Sequence, residues 1–165
     1  LAYELKQSVF LEIARRPEFL AHFARNALQY KPPLNFFGKI LSSSSGVRRK
    51  TFDAKDAMMS IVKFARIYSL RENCSSVNTG ERLDRMMQQG ILSAGDHDET
   101  AMAYECLAKL RLDAQVQALQ ENRPLDNEVA LGSISHIEAA TLKESLLQIA
   151  TIQKRISFDF FGTSE

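Results

Sequence analysis

The sequence predicts an all-α protein: a four-helix-bundle-like domain preceded by two N-terminal connector helices. Three observations carry this prediction. Apolar residues recur at three- and four-residue spacing along most of the chain, and no segment shows the strict alternation of a half-buried strand. Polar residues able to cap a helix stand at the heads of these periodic runs. Of the seven glycines, all but Gly80 fall between the runs.

The first helix is predicted over residues 3 to 15, and Pro17 suits the first turn of a second that runs to about Tyr30. Lys31-Pro32-Pro33 cannot begin a helix, because neither proline has an amide hydrogen to donate. Ser42 to Arg48, with four serines and Gly46, is the most linker-like stretch, and Arg48-Arg49-Lys50 follows it as a basic triplet. Such a triplet either holds a phosphate or sits in a solvated loop. Asp53 is placed to accept the free amides of a helix running to about Glu72. Asn73 to Asn78 is a polar break, and Asn78 with Glu81 has capping-box spacing for a shorter helix to about Gln89. Gly90 and Gly95 bracket a turn, after which a long helix is predicted from about Asp98 to Glu121, ended by Asn122-Arg123-Pro124. Ser135 and Glu138 form the clearest capping box and open a helix that reaches about Phe160.

The chain has 165 residues, 45% hydrophobic and 25% charged, as ordinary globular domains have. Lys and Arg number 21 against 20 Asp and Glu, for a net charge of +1. That balance predicts neither a nucleic-acid partner nor an anionic membrane surface. No apolar run approaches the roughly 18 to 20 residues needed to cross a bilayer. Two cysteines, Cys74 and Cys106, are too few for a disulfide scaffold and suit a reducing, cytoplasmic setting. A chain that starts at Leu1, with no signal segment, reads as a fragment of a longer cytoplasmic protein.

Placing residues at about 100° intervals shows which polar groups lie beside the apolar stripes. In the 54–72 helix, Lys55 and Arg66 share a flank with Met59 and Val62. In the 98–121 helix, Arg111 and Gln115 alternate with Ala108 and Ala118, which leaves room for long side chains to lie across the helix. In the last helix, Gln153 falls in the middle of a stripe of Leu142, Leu146, Ile149, Ile156 and Phe160, where a buried amide needs partners. Arg66, Arg111, Gln115 and Gln153 are thus candidates for one polar constellation. It is either a closed network that sets helix register, with Asp53 or Asp56 as its acid, or a cationic pocket for phosphate or carboxylate.

Catalytic chemistry is thin. His22, His97 and His136 stand in separate contexts without metal-ligand spacing. Asp96-His97-Asp98 has Asp-x-Asp spacing but reads as a helix-capping turn, and neither cysteine has a histidine in view. No catalytic residue and no metal site is predicted. A free-standing hydrolase or transferase would need a metal site around Asp96 and Asp98.

The order of the motifs resembles that of a known family. Pro32-Pro33-Leu34 with Phe36-Phe37-Gly38 is followed by Phe52-Asp53-x-Lys55 and Ala65-Arg66-x-Tyr68-x-Leu70. Thr79-x-x-Arg82-Leu83, Ala103-Tyr104 and Leu107-x-x-Leu110-Arg111-Leu112-x-x-Gln115 come next. Leu142-Lys143-x-x-Leu146 and Gln153-x-x-Ile156-x-x-x-Phe160 complete the series. Together they resemble the nucleotidyltransferase substrate-binding domain found at the C-terminus of bacterial signal-transduction proteins, after a cyclic-nucleotide-binding domain, paired CBS domains and a nucleotidyltransferase domain. The resemblance covers roughly 32 to 160. It implies that residues 1–31 are a helical connector from a catalytic domain and that 32–165 form the substrate-binding domain. The approach to Asp53, Arg48-Arg49-Lys50-Thr51-Phe52, departs from the glycine-containing segment the family would place there.

What the resemblance implies is a non-catalytic bundle beside a nucleotidyltransferase active site, similar to that of the enzyme that uridylylates the PII signalling protein. Asp53, Lys55, Arg66, Thr79, Arg82, Arg111, Gln115, Lys143 and Gln153 would be its substrate-binding residues. Mg²⁺ and a nucleoside triphosphate would belong to the missing catalytic domain, which needs a Gly-Ser followed by Asp-x-Asp. Gly132-Ser133 has no such pair after it, so no cofactor is expected in this chain. Expected partners are the nucleotidyltransferase domain of the same polypeptide, a nucleotide or acceptor protein, and a second copy in a homodimer. The alternative is a protein-interaction or scaffold bundle with structural internal salt bridges.

Overall fold

Capping chemistry sets the head of each long helix. In the computed structural model, which describes residues 2–34 and 51–163, Asp53 Oδ1 accepts from the Asp56 amide at 2.8 Å and opens α3 (Ala54–Arg71). Asn78 Oδ1 accepts from the Glu81 amide at 3.2 Å and opens α4 (Thr79–Gln88). Only this half of the predicted capping box forms there, because the Glu81 carboxylate accepts instead from the Ser76 hydroxyl. Ser135 and Glu138 make the full reciprocal box at α6 (His136–Phe161). The Ser135 amide, and then the Lys109 ammonium, draw the Glu138 carboxyl down to about 2. Before these come α1 (Ala2–Arg15) and α2 (Pro17–Ala27), where Pro17 needs no intrahelical amide partner.

α5 (Ala94–Gln120) begins four residues ahead of the predicted Asp98. Ser93 Oγ accepts from the Asp96 amide at 3.1 Å, so the cap lies upstream of Gly95. Gly95 and Asp96-His97-Asp98 therefore belong to the first turns of the helix and do not form a separate turn. Gly90, at φ 70°, takes the left-handed conformation that closes α4, and Gly162, at φ 68°, closes α6.

The chain also holds strands that the sequence does not predict. β1 (Thr51–Asp53) pairs antiparallel with β2 (Glu128–Ala130), in the register Thr51 to Ala130, Phe52 to Val129 and Asp53 to Glu128. Three residues are too few to display an alternating pattern, and the partners lie far apart in sequence. Phe52 and Val129 are buried, and the Ala54 amide donates to Asn127 O at 3.0 Å, which ties the ribbon to the head of α3.

α3 is the central helix and packs against α2, α4, α5 and α6. α5 and α6 run antiparallel, since Lys109 meets Glu138 while Thr100, earlier on α5, meets Gln148, later on α6. The core between them is built from Ile61, Phe64, Tyr68, Leu107, Leu146 and Ile149, all fully buried. Leu83 and Met86 seal α4 onto it, and α2 adds Ala24 and Ala27. Phe36-Phe37-Gly38, the serine-rich stretch and Arg48-Arg49-Lys50 lie outside the described residues.

Candidate functional site

The candidate residues other than Lys143 are distributed over two regions of the bundle. At the α3–α4 corner, Thr79 is the first residue of α4 and is buried. One turn on, Arg82 is half-buried and donates from Nε to Ser76 O at 2.9 Å. Arg66 is exposed on the adjacent face of α3. Burial first, and then the positive charge of Arg66, hold the Arg82 guanidinium below its usual pKa. These two arginines are therefore electrostatic neighbours.

The other region surrounds the head of α3. Arg111, half-buried on α5, donates from Nε to Asn127 Oδ1 at 2.7 Å, and the backbone of that same Asn127 receives the Ala54 amide. Asp53 is the cap of α3, and Lys55 is exposed just after it. Gln115 lies one turn beyond Arg111, whereas Lys143, half-buried on α6, is tied to neither region by a hydrogen bond or ion pair among the described residues. Gln153 is half-buried and donates from Nε2 to Tyr30 O at 2.6 Å and Ala27 O at 3.5 Å, so its partners are carbonyls at the last residue of α2 and just beyond it. The Tyr30 hydroxyl is pushed well above its usual range by burial, then by the charges of Asp56 and Asp53.

The acids expected to close a salt-bridge network do not do so. Asp53 is engaged with the backbone of α3. Among the described residues, Arg66, Arg82 and Arg111 have no carboxylate within ion-pair reach, and the two half-buried ones are held by neutral oxygens. Neutral acceptors orient a guanidinium without cancelling its charge, so its remaining donors stay available to an anion. A cleft of about 790 Å³ between α5 and β2 contains none of the nine candidate residues. Its charged walls include Asp126, Glu128 and Arg123, and Arg123 is already paired with Glu121 at 2.6 Å, so it does not suit a phosphate.

His97 has a role that periodicity did not reveal. From α5 it contacts Asp84 of α4 at 2.8 Å through Nε2 and Asp98 at 2.9 Å through Nδ1, with only 15% of its side chain exposed. Hydrogen bonds to Asp98 and then Asp84 raise its pKa against the opposing effect of burial. A raised pKa means that this contribution to stability is full below the unfolded-state value and is lost as pH rises through the folded-state value. Wild-type melting temperature should therefore fall as pH rises past about 6.5, the ordinary histidine value, and His97→Gln should remove that slope. Parallel slopes for the two proteins would refute the assignment. No sequence signal short of the α4–α5 packing would have paired His97 with Asp84. No group of three or more metal-ligating side chains placed to hold an ion occurs among the described residues.

Fold and side-chain chemistry together define an all-α domain that displays uncancelled cations at two places. The chain belongs to the family described as putative nucleotidyltransferase substrate-binding domain, whose model matches residues 17–160, from the first residue of α2 nearly to the end of α6. No curated protein and no solved structure matches the chain. Among the described residues, no helix is long and apolar enough to cross a membrane.

Proposed function

We propose that this chain is the non-catalytic substrate-binding module of a signal-transduction nucleotidyltransferase, similar to the PII-uridylylating enzymes, in the bacterial cytoplasm. The observation that carries the reading is the state of its arginines. Arg82 and Arg111 are held by neutral oxygens, and Arg66 stands exposed beside Arg82. A scaffold bundle would pair such groups with carboxylates, because an uncancelled, partly buried charge costs stability that a pure scaffold has no reason to give up. A module that receives phosphates needs the charge left over.

In this reading, the catalytic domain of the same polypeptide supplies the metal-binding aspartates, Mg²⁺ and the transfer chemistry. The bundle supplies position. Asp53 and Gln153 hold α3 and α2 in place, while Arg66, Arg82, Arg111, Lys55 and Lys143 meet the nucleotide or the acceptor. Thr79 and Gln115 complete the polar lining.

The test is a thermal-shift screen against nucleoside mono-, di- and triphosphates, with and without Mg²⁺, on the wild type and Arg111→Ala. A ligand at about a hundred times its Kd stabilises the native state by roughly 2.7 kcal/mol, a rise of several degrees for a domain of this size. The reading expects such a rise with at least one nucleotide, and a smaller one in Arg111→Ala. No rise with any nucleotide, together with a large loss of stability in Arg111→Ala, would leave Arg111 architectural and favour the scaffold.

A further inference from the structure

Along the seam of α5 and α6 the surface is cut by two clefts of about 430 and 410 Å³, which share Gln148 and Thr151 as walls. Joined there, they make one groove that follows α6 from Thr141 to Phe158, about 25 Å at a helical rise of about 1.5 Å per residue. None of the nine candidate residues lines it.

The walls carry large apolar side chains in the open. Met102 and Phe158 are 63% and 64% exposed, and Leu147 is a third exposed apolar group. Exposed apolar groups gathered in a groove mark a surface that another molecule covers. Beneath them the buried Ala103 and Ser145 are small, which lets a packed helix approach closely. Gln148, 7% exposed, donates from Nε2 to Thr100 Oγ1 at 2.9 Å, and its Oε1 accepts from no donor among the described residues. Unpartnered buried side-chain atoms are confined there to Ser69 Oγ and Arg155 Nε, so Gln148 Oε1 is reached from the groove that the residue lines.

Charge sets what fits. Glu99 on the α5 wall and Glu144 on the α6 wall are exposed, and neither is ion-paired among the described residues. Asp96 accepts only from the neutral Ser93 hydroxyl, at 2.8 Å. Arg155 is the one cation lining the groove among the described residues, and Asp159 lies 3.8 Å from it. The groove therefore keeps a surplus of carboxylates beside its apolar walls.

We propose that this groove docks an amphipathic helix of a partner protein, with its apolar stripe on Met102, Leu147 and Phe158 and its lysines or arginines against Glu99 and Glu144. A helix laid in the seam of two others is a recurring recognition mode, and the groove is long enough for about five turns. Carboxylates on both walls reject acidic helices and steer basic ones. Two copies paired through the same groove would set acid against acid. The inference goes beyond the nucleotide reading and does not depend on it.

The probe is a synthetic helix of about 18 residues, matched to the groove at about 1.5 Å per residue, with leucines at three- and four-residue spacing and lysines flanking them. A second peptide has glutamates in place of the lysines. Isothermal titration calorimetry on the full 165-residue chain should show micromolar binding of the lysine peptide, a gain of peptide helicity by circular dichroism, and no binding of the glutamate peptide. Glu99→Lys combined with Glu144→Lys should weaken binding by roughly tenfold or more, and Phe158→Asp by a similar factor. All three side chains are exposed, so these variants should still melt cooperatively. Glu128→Lys, at an exposed acid of the α5–β2 cleft, should bind as the wild type does. Equal affinity for the two peptides would overturn the charge selection, and equal affinity in wild type and groove variants would overturn the site. No binding of the lysine peptide at millimolar concentration would overturn the docking. A dimer of the chain in sedimentation velocity that Phe158→Asp dissolves would give the groove to a second copy and overturn the partner helix.

Discussion

Phe64→Ala should lower the free energy of unfolding by roughly 3 to 5 kcal/mol, the range for emptying an aromatic site in a well-packed core. Phe64 is fully buried on the central helix. Its ring lies 4.9 Å from that of Tyr68, which in turn meets Phe160 of α6 edge-on at 5.9 Å. The guanidinium of Arg71 covers the Tyr68 ring at 4.6 Å, and the Tyr68 hydroxyl donates to Asp159 Oδ2 at 2.6 Å. Truncation at Phe64 thus removes dispersion contacts and loosens the next ring, whose hydroxyl fixes the end of α6. Domains are typically stable by only 5 to 15 kcal/mol, so the change should be visible as a large drop in urea midpoint. A loss under about 1.5 kcal/mol would mean that the neighbouring helices close the cavity and that α3 is less central than its burial indicates.

Much of this architecture was readable in the sequence because it depends on local chemistry. Asp53, Asn78 and Ser135 were identifiable as caps since a side-chain oxygen needs only an amide two or three residues ahead. Gln153 was identifiable as an amide in an apolar stripe that would need partners. Those partners were not readable: the carbonyls of Ala27, the last residue of α2, and of Tyr30, just after it, lie more than a hundred residues earlier. The same reason hid the β1–β2 ribbon and the contact of His97 with Asp84. Periodicity reports which face of a helix is buried but not what it is buried against. Ser93 was overlooked for a different reason. Gly95 looked like a terminator, yet it falls in the first turn, where amides have no intrahelical partner in any case. For the candidate site, the residue types were found and their grouping was not. Arg66 and Arg82 meet at one corner, whereas Arg111 serves the head of α3.

Gln153→Leu should cost roughly 1 to 3 kcal/mol even though it exchanges one side chain for another of similar volume. The final carbonyls of a helix and the turn after it have no donor within the helix and must find one elsewhere. Gln153 supplies it to Tyr30 O at 2.6 Å, with a longer contact to Ala27 O at 3.5 Å. Leucine would pack in the same stripe as Ile149 and Ile156 while leaving Tyr30 O without this donor, so the penalty falls on the docking of α2 rather than on the core. Hydrogen exchange should therefore show the amides of α2 opening first, with those of α3 and α6 protected nearly as in the wild type. Nucleotide binding by the folded variant decides what kind of residue this is. If Gln153→Leu melts at the wild-type temperature yet loses nucleotide affinity, the amide faces the ligand and the carbonyl contacts are incidental. If it destabilises α2 and binds nucleotide normally once folded, Gln153 holds the frame on which the arginines act, and the charge at the α3–α4 corner must carry recognition without it.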